Sequence, residues 1–132
     1  MIAPDYDDGR AAIYLGHVVD VLSVLPEESV HCVVTSPPYW GLRNYGTPPQ
    51  VWGGESGCEH EWGEELPLHH PGQVEQTKWK NADAAGKGQT AMSGSLCVRC
   101  SSWRGSLGLE PDPSLYVEHL VTIFREVRRV LR

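Results

Sequence analysis

Residues 30–35 form a mostly β-branched run with apolar side chains on both of the faces that a strand would present. Such a run is typical of a strand in a parallel sheet whose two faces are covered. Pro37 and Pro38 follow and must end any ladder, because proline has no backbone N–H to donate. The run therefore predicts a buried strand, with His31 and Cys32 in the core.

A strand and a helix are predicted before this run. Residues 12–15 are apolar up to Gly16, and apolar residues then recur at helical spacing as far as Pro26. Strand, helix and strand in this order form a βαβ unit, whose crossover is right-handed. We therefore expect an α/β fold, part of a Rossmann-like arrangement of parallel strands with helices, and residues 1–48 form its first part.

The middle of the chain has a different character. Residues 41–108 hold most of the 14 glycines and show no sustained period of a strand or a helix. We expect residues 49–106 to be a loop-rich insertion, which needs an internal staple to be ordered.

Four side chains of this insertion have the spacing of metal ligands. They are Cys58, His60, Cys97 and Cys100, the last two of which form a Cys-x-x-Cys pair. Three thiolates and one imidazole suit a closed, tetrahedral, structural zinc site. Because a single residue between Cys58 and His60 is short for such a pair, His69 or His70 is an alternative fourth ligand. The other interpretation is that these four side chains bind no metal ion.

Residues 107–132 return to a regular pattern. Asp112 is a suitable helix cap, and Pro113 suits a first helical turn. Apolar residues follow at helical spacing, namely Tyr116, Leu120, Ile123, Phe124, Val127 and Leu131. The opposite face, which includes Arg128 and Arg129, is expected to be solvated. In an α/β fold this helix should lead into a further strand, so we expect the chain to be truncated after it.

Charge and composition narrow the setting. No apolar run of membrane length occurs, and the amino terminus is acidic, so a cytoplasmic protein without membrane contact is expected. The net charge of −6 argues at first sight against a nucleic-acid partner, because phosphate contacts need Lys and Arg. Most of the net negative charge, however, comes from residues 1–40, which hold six acids and one base. The cations that remain for DNA are Arg43, Lys78, Lys80, Lys87, Arg99 and Arg104.

The loop after the predicted strand carries groups that suit a planar, amino-bearing ring. Two prolines fix φ twice and leave their carbonyls free to accept hydrogen bonds. Ser36 and the Pro37 carbonyl are therefore able to hold an exocyclic amino group, while Tyr39 stacks on the ring. The alternative is that Pro37 and Pro38 only end the strand, with Tyr39 and Trp40 as core aromatics.

The motif Ser36-Pro37-Pro38-Tyr39, after Gly16 and the run at 30–35, resembles the catalytic motif of the amino-methylating DNA methyltransferases, which act on cytosine N4 or adenine N6. The match extends over residues 40–46 and resumes from residue 107 to the end. The resemblance implies a methyltransferase version of the α/β fold. It also implies that all four motif residues form the catalytic site, with Ser36 and the Pro37 carbonyl on the amino group and Tyr39 against the ring.

The same resemblance implies the partners of the site. The methyl donor is S-adenosylmethionine, and no glycine motif for it occurs in these residues, so no cofactor-binding residue is assigned here. His17 stands where family members often have an Asp near the cofactor. A leading Ser favours cytosine N4 over adenine N6. Double-stranded DNA is the implied substrate, and a restriction nuclease the implied partner enzyme, in the cytoplasm of a bacterial or phage-infected cell.

Two other classes of function remain at this point. The chain is alternatively a non-catalytic zinc-containing DNA-binding module, or an inactive remnant of a modification enzyme. A binding module does not need a buried strand that opens into Ser36-Pro37-Pro38-Tyr39. This feature favours the enzyme, although this piece by itself is expected to be inactive.

Overall fold

The computed structural model describes residues 2–67 and 92–132. The chain divides into two compact units, one of Met1–Pro37 with Val117–Arg132 and one of Pro38–Tyr116. His69, His70, Lys78, Lys80 and Lys87 lie outside the described residues. No helix in the described part of the chain is long and apolar enough to span a bilayer.

The first unit begins with a small hairpin. Strands β1 (Tyr6–Asp7) and β2 (Ala12–Ile13) pair antiparallel. The Asp8 carboxylate closes the turn by accepting the backbone N–H groups of Arg10 at 2.9 Å and Ala11 at 2.8 Å. The strand predicted at 12–15 is therefore present as two residues, both of which are exposed.

Helix α1 (Val18–Val24) confirms the predicted helix. Its C-terminal end is held by Arg129, which donates from Nη2 to the Leu22 carbonyl at 2.7 Å and from Nη1 to the Leu25 carbonyl at 3.1 Å. The Arg129 Nε also donates to Glu126 at 2.8 Å. The expectation that Arg129 is merely solvated is therefore wrong, because its guanidinium satisfies the carbonyls that a helix end leaves open.

The prediction of a strand at residues 30–35 is wrong. Within this run only Val30 pairs, in a parallel bridge with Leu131. His31 and Cys32 are exposed, and Val34 is 94% exposed. A strand is buried on both faces only where neighbouring strands continue the ladder, and no such neighbour exists among the residues described. The Rossmann-like parallel sheet accordingly remains a prediction.

Helix α2 (Pro113–Val130) confirms the predicted final helix and its cap. The Asp112 carboxylate accepts the N–H groups of Ser114 at 2.9 Å and Leu115 at 3.1 Å, as an N-cap does. In the predicted apolar stripe Ile123 is buried and Phe124 is 42% exposed, and the other four members are half-buried. Val130, which is not a member of the predicted stripe, is also buried.

The second unit is built on a four-stranded antiparallel sheet. Its strands are β3 (Gln50–Trp52), β4 (Trp62–Pro67), β5 (Met92–Cys97) and β6 (Trp103–Gly105), in the order β3-β6-β5-β4. Trp52 and Trp103 are buried on one face, and the Trp52 indole donates to the Gly105 carbonyl at 3.2 Å. The segment predicted as a loop-rich insertion therefore contains regular strands, which its sequence pattern did not predict. The chain is an α/β protein whose strand ladders, in the described ranges, are antiparallel.

Candidate functional site

The four predicted metal ligands lie together at one end of this sheet. The ligand atoms of Cys58, His60, Cys97 and Cys100 are all within 4.8 Å of one another. The Sγ atoms of Cys58 and Cys97 are 4.0 Å apart, and the Sγ of Cys100 lies 3.5 Å from the Nδ1 of His60. His60 also packs against Trp62, with ring centroids 4.9 Å apart.

Backbone hydrogen bonds shape the turn between β5 and β6 that carries two of the ligands. The Ser101 N–H donates to the Cys97 carbonyl at 2.9 Å, and the Cys97 N–H donates to the Ser102 carbonyl at 2.8 Å. Gly54 lies against this turn, since a Cβ at position 54 would stand 2.6 Å from the Ser102 Cβ and 3.0 Å from the Cys100 Sγ. The close approach requires glycine there.

The three thiols of the cluster have different pKa values because their surroundings differ. Hydrogen bonds from the Ser102 hydroxyl, and then from backbone N–H groups, lower the pKa of the Cys100 thiol to about 5. Desolvation opposes ionisation of Cys97, but backbone N–H groups of the turn outweigh it and lower its pKa to about 7. Desolvation, followed by hydrogen bonds to the other two thiols, raises the pKa of Cys58 to about 12. Hydrogen bonding to Cys97 raises the pKa of His60.

The donor set fits a tetrahedral zinc ion. Zn–S bonds of about 2.3 Å and Zn–N bonds of about 2.0 Å place neighbouring ligand atoms about 3.8 Å apart for two sulfurs and about 3.5 Å apart for sulfur and nitrogen. The 4.0 Å and 3.5 Å separations in the cluster agree with those edges. Four protein ligands fill a tetrahedron, so the arrangement is able to hold a structural ion but leaves no position for a substrate.

The predicted base-binding motif is divided between the two units. Ser36 is exposed and Pro37 is half-buried in the first unit. In the second unit, Tyr39 is 64% exposed, and Pro38 and Trp40 are half-buried. The exposure of Tyr39 does not agree with the alternative that this ring is a core aromatic.

Residues 108–116 form hydrogen bonds to the loop of residues 38–41, which contains the second half of the motif. The Tyr116 hydroxyl donates to the Pro38 carbonyl at 2.7 Å, and the Trp40 indole donates to the Glu110 carbonyl at 3.0 Å. The Gly41 N–H donates to the Gly108 carbonyl at 2.7 Å. The backbone of the loop is thereby fixed while the Tyr39 ring stays accessible.

Gly108 and Glu110 complete this support. Gly108 has φ of 90°, and a Cβ on it would stand 3.1 Å from the Pro38 Cβ and 3.2 Å from the Tyr39 carbonyl oxygen. The Glu110 side chain is fully buried, and one carboxylate oxygen accepts the Gly108 N–H at 2.8 Å. Desolvation, followed by the charge of Glu110, raises the pKa of Tyr116, which keeps its hydroxyl protonated as a donor.

These supporting residues were not predicted as functional. Tyr116 was assigned to the apolar stripe of α2, and residues 107–111 were noted only because the family match resumes there. His17, by contrast, lies at the start of α1 with its Nδ1 3.9 Å from Asp20, and desolvation lowers its pKa. This position is that of a helix-start residue.

Comparison with known proteins finds relatives of one kind. The chain is 33% identical to the type II methyltransferase M.SfiI of Streptomyces fimbriatus over 120 residues, which are 91% of this chain and 15% of that protein. It is 54% identical over 41 residues to the type II methyltransferase M.Cfr9I of Citrobacter freundii, or 31% of this chain and 14% of that protein. The type II methyltransferase M.SmaI of Serratia marcescens is 49% identical over 39 residues, or 30% of this chain and 13% of that protein. No protein-family model and no solved structure matches the chain.

Proposed function

We propose that this chain carries the target-base site of an S-adenosylmethionine-dependent DNA methyltransferase, which acts on the exocyclic amino group of cytosine N4, with adenine N6 as the alternative. The observation that carries the proposal is the Tyr39 loop, whose backbone is held at 2.7 Å by Tyr116 while its ring is 64% exposed. The similarity to part of M.SfiI over 91% of this chain supports it. The chain spans about 15% of that relative, so the activity of a whole protein is itself part of the proposal.

Each motif residue has a proposed role toward a base that has left the duplex stack. The Ser36 hydroxyl and the Pro37 carbonyl accept hydrogen bonds from the amino group, and Tyr39 stacks on the ring. Pro38 keeps the loop rigid, because its φ is fixed. These hydrogen bonds turn the nitrogen lone pair away from conjugation with the ring and aim it. S-adenosylmethionine, when bound, supplies the methyl group on a sulfonium.

This division of labour needs no nucleophilic side chain. The base nitrogen would form its bond to the methyl carbon as the sulfonium C–S bond breaks to release S-adenosylhomocysteine, and the amino group would lose one proton to solvent. The protein contributes by orientation and by placing acceptors beside the amino hydrogens. A loop that shifted with each encounter would lose this contribution, which is why the hydrogen bonds to Tyr116 and Gly108 matter for the proposed chemistry.

The second cofactor in the proposal is a structural zinc ion, held by Cys58, His60, Cys97 and Cys100. The support is the mutual approach of their ligand atoms within 4.8 Å. Zinc would join the loop before β4 to the turn between β5 and β6 and so close the sheet at this end. It has no proposed part in methyl transfer.

The test is methyl transfer from labelled S-adenosylmethionine to unmethylated duplex DNA, followed by nucleoside analysis. This 132-residue chain is assayed beside a version extended at its carboxyl end. We expect N4-methylcytosine from the extended form, and its loss in the Tyr39→Ala variant. Tyr6→Ala is the matched control, because Tyr6 is also exposed and lies outside both the motif and the adjoining family match. Methyladenine would move the proposal to the other base, and no methylated nucleoside from either form would refute it.

A zinc-containing DNA-binding module is the second candidate. The observation in its favour is that the Cys/His cluster lies within one compact unit, Pro38–Tyr116, which has its own buried residues. Binding of zinc and DNA without any methyl transfer from the extended form would favour this candidate over the enzyme.

A further inference from the structure

The sheet of the Pro38–Tyr116 unit has a cavity that neither the motif nor the metal cluster uses. Its volume is about 510 Å³, within the usual range for a ligand site. The polar residues that line it are Asn44, Thr47, Glu65, Ser95, Arg104 and Ser106.

Three of these residues form one row across the sheet. Glu65 of β4 is paired with Ser95 of β5, and Ser95 is paired with Arg104 of β6. Directly paired residues of antiparallel strands present their side chains on the same face. A carboxylate, a hydroxyl and a guanidinium therefore lie side by side along one wall of the cavity.

The central member of the row is a buried hydroxyl without a partner. Ser95 is 1% exposed, and its Oγ makes no hydrogen bond to any part of the chain that the structure describes. Buried hydroxyls in folded proteins are almost always hydrogen-bonded. An unpartnered one in a cavity wall indicates that a polar group binds there.

The two charged members of the row are not paired with each other within the described residues. The Arg104 guanidinium carbon lies 4.8 Å from the centre of the Trp62 ring, a cation–π contact that restrains the guanidinium. Among the described residues, Glu65 and Arg104 form no ion pair with each other or with a third group. The wall thus offers the donors of Arg104 and the acceptors of Glu65 to a ligand.

We propose that the wall of this cavity is a base-reading site, which contacts the major-groove edge of a G·C pair of the DNA substrate. In the major groove Arg is the usual partner of guanine O6 and N7, a carboxylate accepts from the cytosine amino group, and a hydroxyl serves either base. Arg104 therefore binds guanine and Glu65 accepts from the cytosine amino group, while the Ser95 hydroxyl is the third polar group of the same wall. A backbone phosphate does not fit, because Glu65 would repel it. The inference rests on the proposed function, since it assumes DNA as the substrate.

The experiment selects duplexes from a random-sequence pool on the intact protein and then measures affinity for the enriched site with single substitutions. We expect a G·C pair whose replacement by A·T weakens binding roughly 10-fold to 100-fold. Replacing its guanine by 7-deazaguanine, which lacks only N7, should weaken binding to a smaller extent. In the Arg104→Gln variant both changes to the DNA should have almost no further effect.

Two matched controls keep the test specific. Arg99→Gln and Glu64→Gln remove the same charges from residues that do not line the cavity, and they should keep the full preference. Arg104→Lys keeps the charge but not the fork, so affinity should survive while the preference for the G·C pair falls. The 7-deazaguanine measurement needs no variant, so a variant that fails to fold does not decide the question.

The result that overturns the inference is a selection that enriches no base pair, or a G·C preference that Arg104→Gln leaves unchanged. Failure of the proposed function would look different. Tyr39→Ala, which removes the proposed stacking ring, should abolish methyl transfer from the extended chain and leave the Arg104-dependent preference intact. If that preference exists without any methyl transfer, only the enzyme proposal falls.

Discussion

Tyr116 connects the Tyr39 loop to α2 through one hydroxyl. It donates to the Pro38 carbonyl at 2.7 Å. Tyr116→Phe removes this bond and leaves the carbonyl half-buried, so the free energy of unfolding should fall by about 1 kcal/mol in a urea titration. Tyr45→Phe is the control, because Tyr45 is exposed and makes no such bond. Equal midpoints for the two variants would contradict the role.

The raised pKa of Tyr116 gives this prediction a pH dependence. A group whose pKa is higher in the folded state stabilises the fold below its unfolded pKa, and the effect is lost as pH rises through the folded pKa. The difference between the wild-type protein and Tyr116→Phe should therefore be full at neutral pH and should shrink only above about pH 10.

Gly108 is where the loop and its support come closest. With φ of 90° and less than 3.3 Å from the Cβ position to both Pro38 and Tyr39, alanine would be strained and would push on the loop. We expect Gly108→Ala to cost about 2 to 3 kcal/mol of unfolding free energy. Gly46→Ala isolates the backbone part of this cost, because Gly46 also has positive φ but has nothing within 4 Å of its Cβ position. A Gly108→Ala variant no less stable than Gly46→Ala would show that the loop is free to move.

At the scale of elements, helix α1 is short, and its carbonyls are held by α2. Arg129 donates to the Leu22 and Leu25 carbonyls, so Arg129→Gln should lower the free energy of unfolding by about 1 to 2 kcal/mol. The exposed Arg128, one residue earlier, is the matched control, and Arg128→Gln should change stability little. Comparable losses in both variants would mean that overall charge, and not the helix end, accounts for the effect.

Elements that local sequence determines were predicted well, and those that depend on distant partners were not. Helix α2 needs only its own apolar period and the Asp112 cap, both visible in the sequence. The run at 30–35 has the composition of a buried strand, but burial depends on neighbouring strands. Likewise, Gly94 and Gly105 interrupt the apolar alternation that would have indicated strands β5 and β6. Glycine is needed at position 94 because a Cβ there would stand 2.2 Å from the Arg104 carbonyl oxygen.

The same distinction applies to the candidate sites. The Cys-x-x-Cys pair indicates metal binding within four sequence positions, so a ligand group could be predicted from it. The structure brings the four predicted side chains together. The bond from Tyr116 to Pro38 joins residues 78 positions apart. The row of Glu65, Ser95 and Arg104 depends on a strand register interrupted by irregularities in the β4–β5 pairing. No local sequence pattern predicts this hydrogen bond or this row of side chains.

At the scale of the whole molecule, the two units should respond differently to removal of zinc. The proposed ion would join two segments of the Pro38–Tyr116 unit only, whereas α1 and most of α2 lie in the other unit. The four tryptophans that the structure describes lie in the Pro38–Tyr116 unit, so their fluorescence reports on it, while the helical circular dichroism reports mainly on the other unit. Because metal binding adds to folding free energy, chelation should lower the fluorescence midpoint by roughly 10 °C or more and leave most of the helical signal.

Metal content and two serine variants complete this prediction. Purified protein should contain one zinc ion per chain, and Cys97→Ser should lose it together with the shift on chelation. Cys32→Ser should keep both, because Cys32 is exposed and lies outside the cluster. Loss of the two signals together on chelation would mean that the units do not unfold separately. An unchanged midpoint temperature of the fluorescence transition in Cys97→Ser would mean that the sheet needs no ion. Strand pairing and the buried tryptophans would then be sufficient to stabilise it.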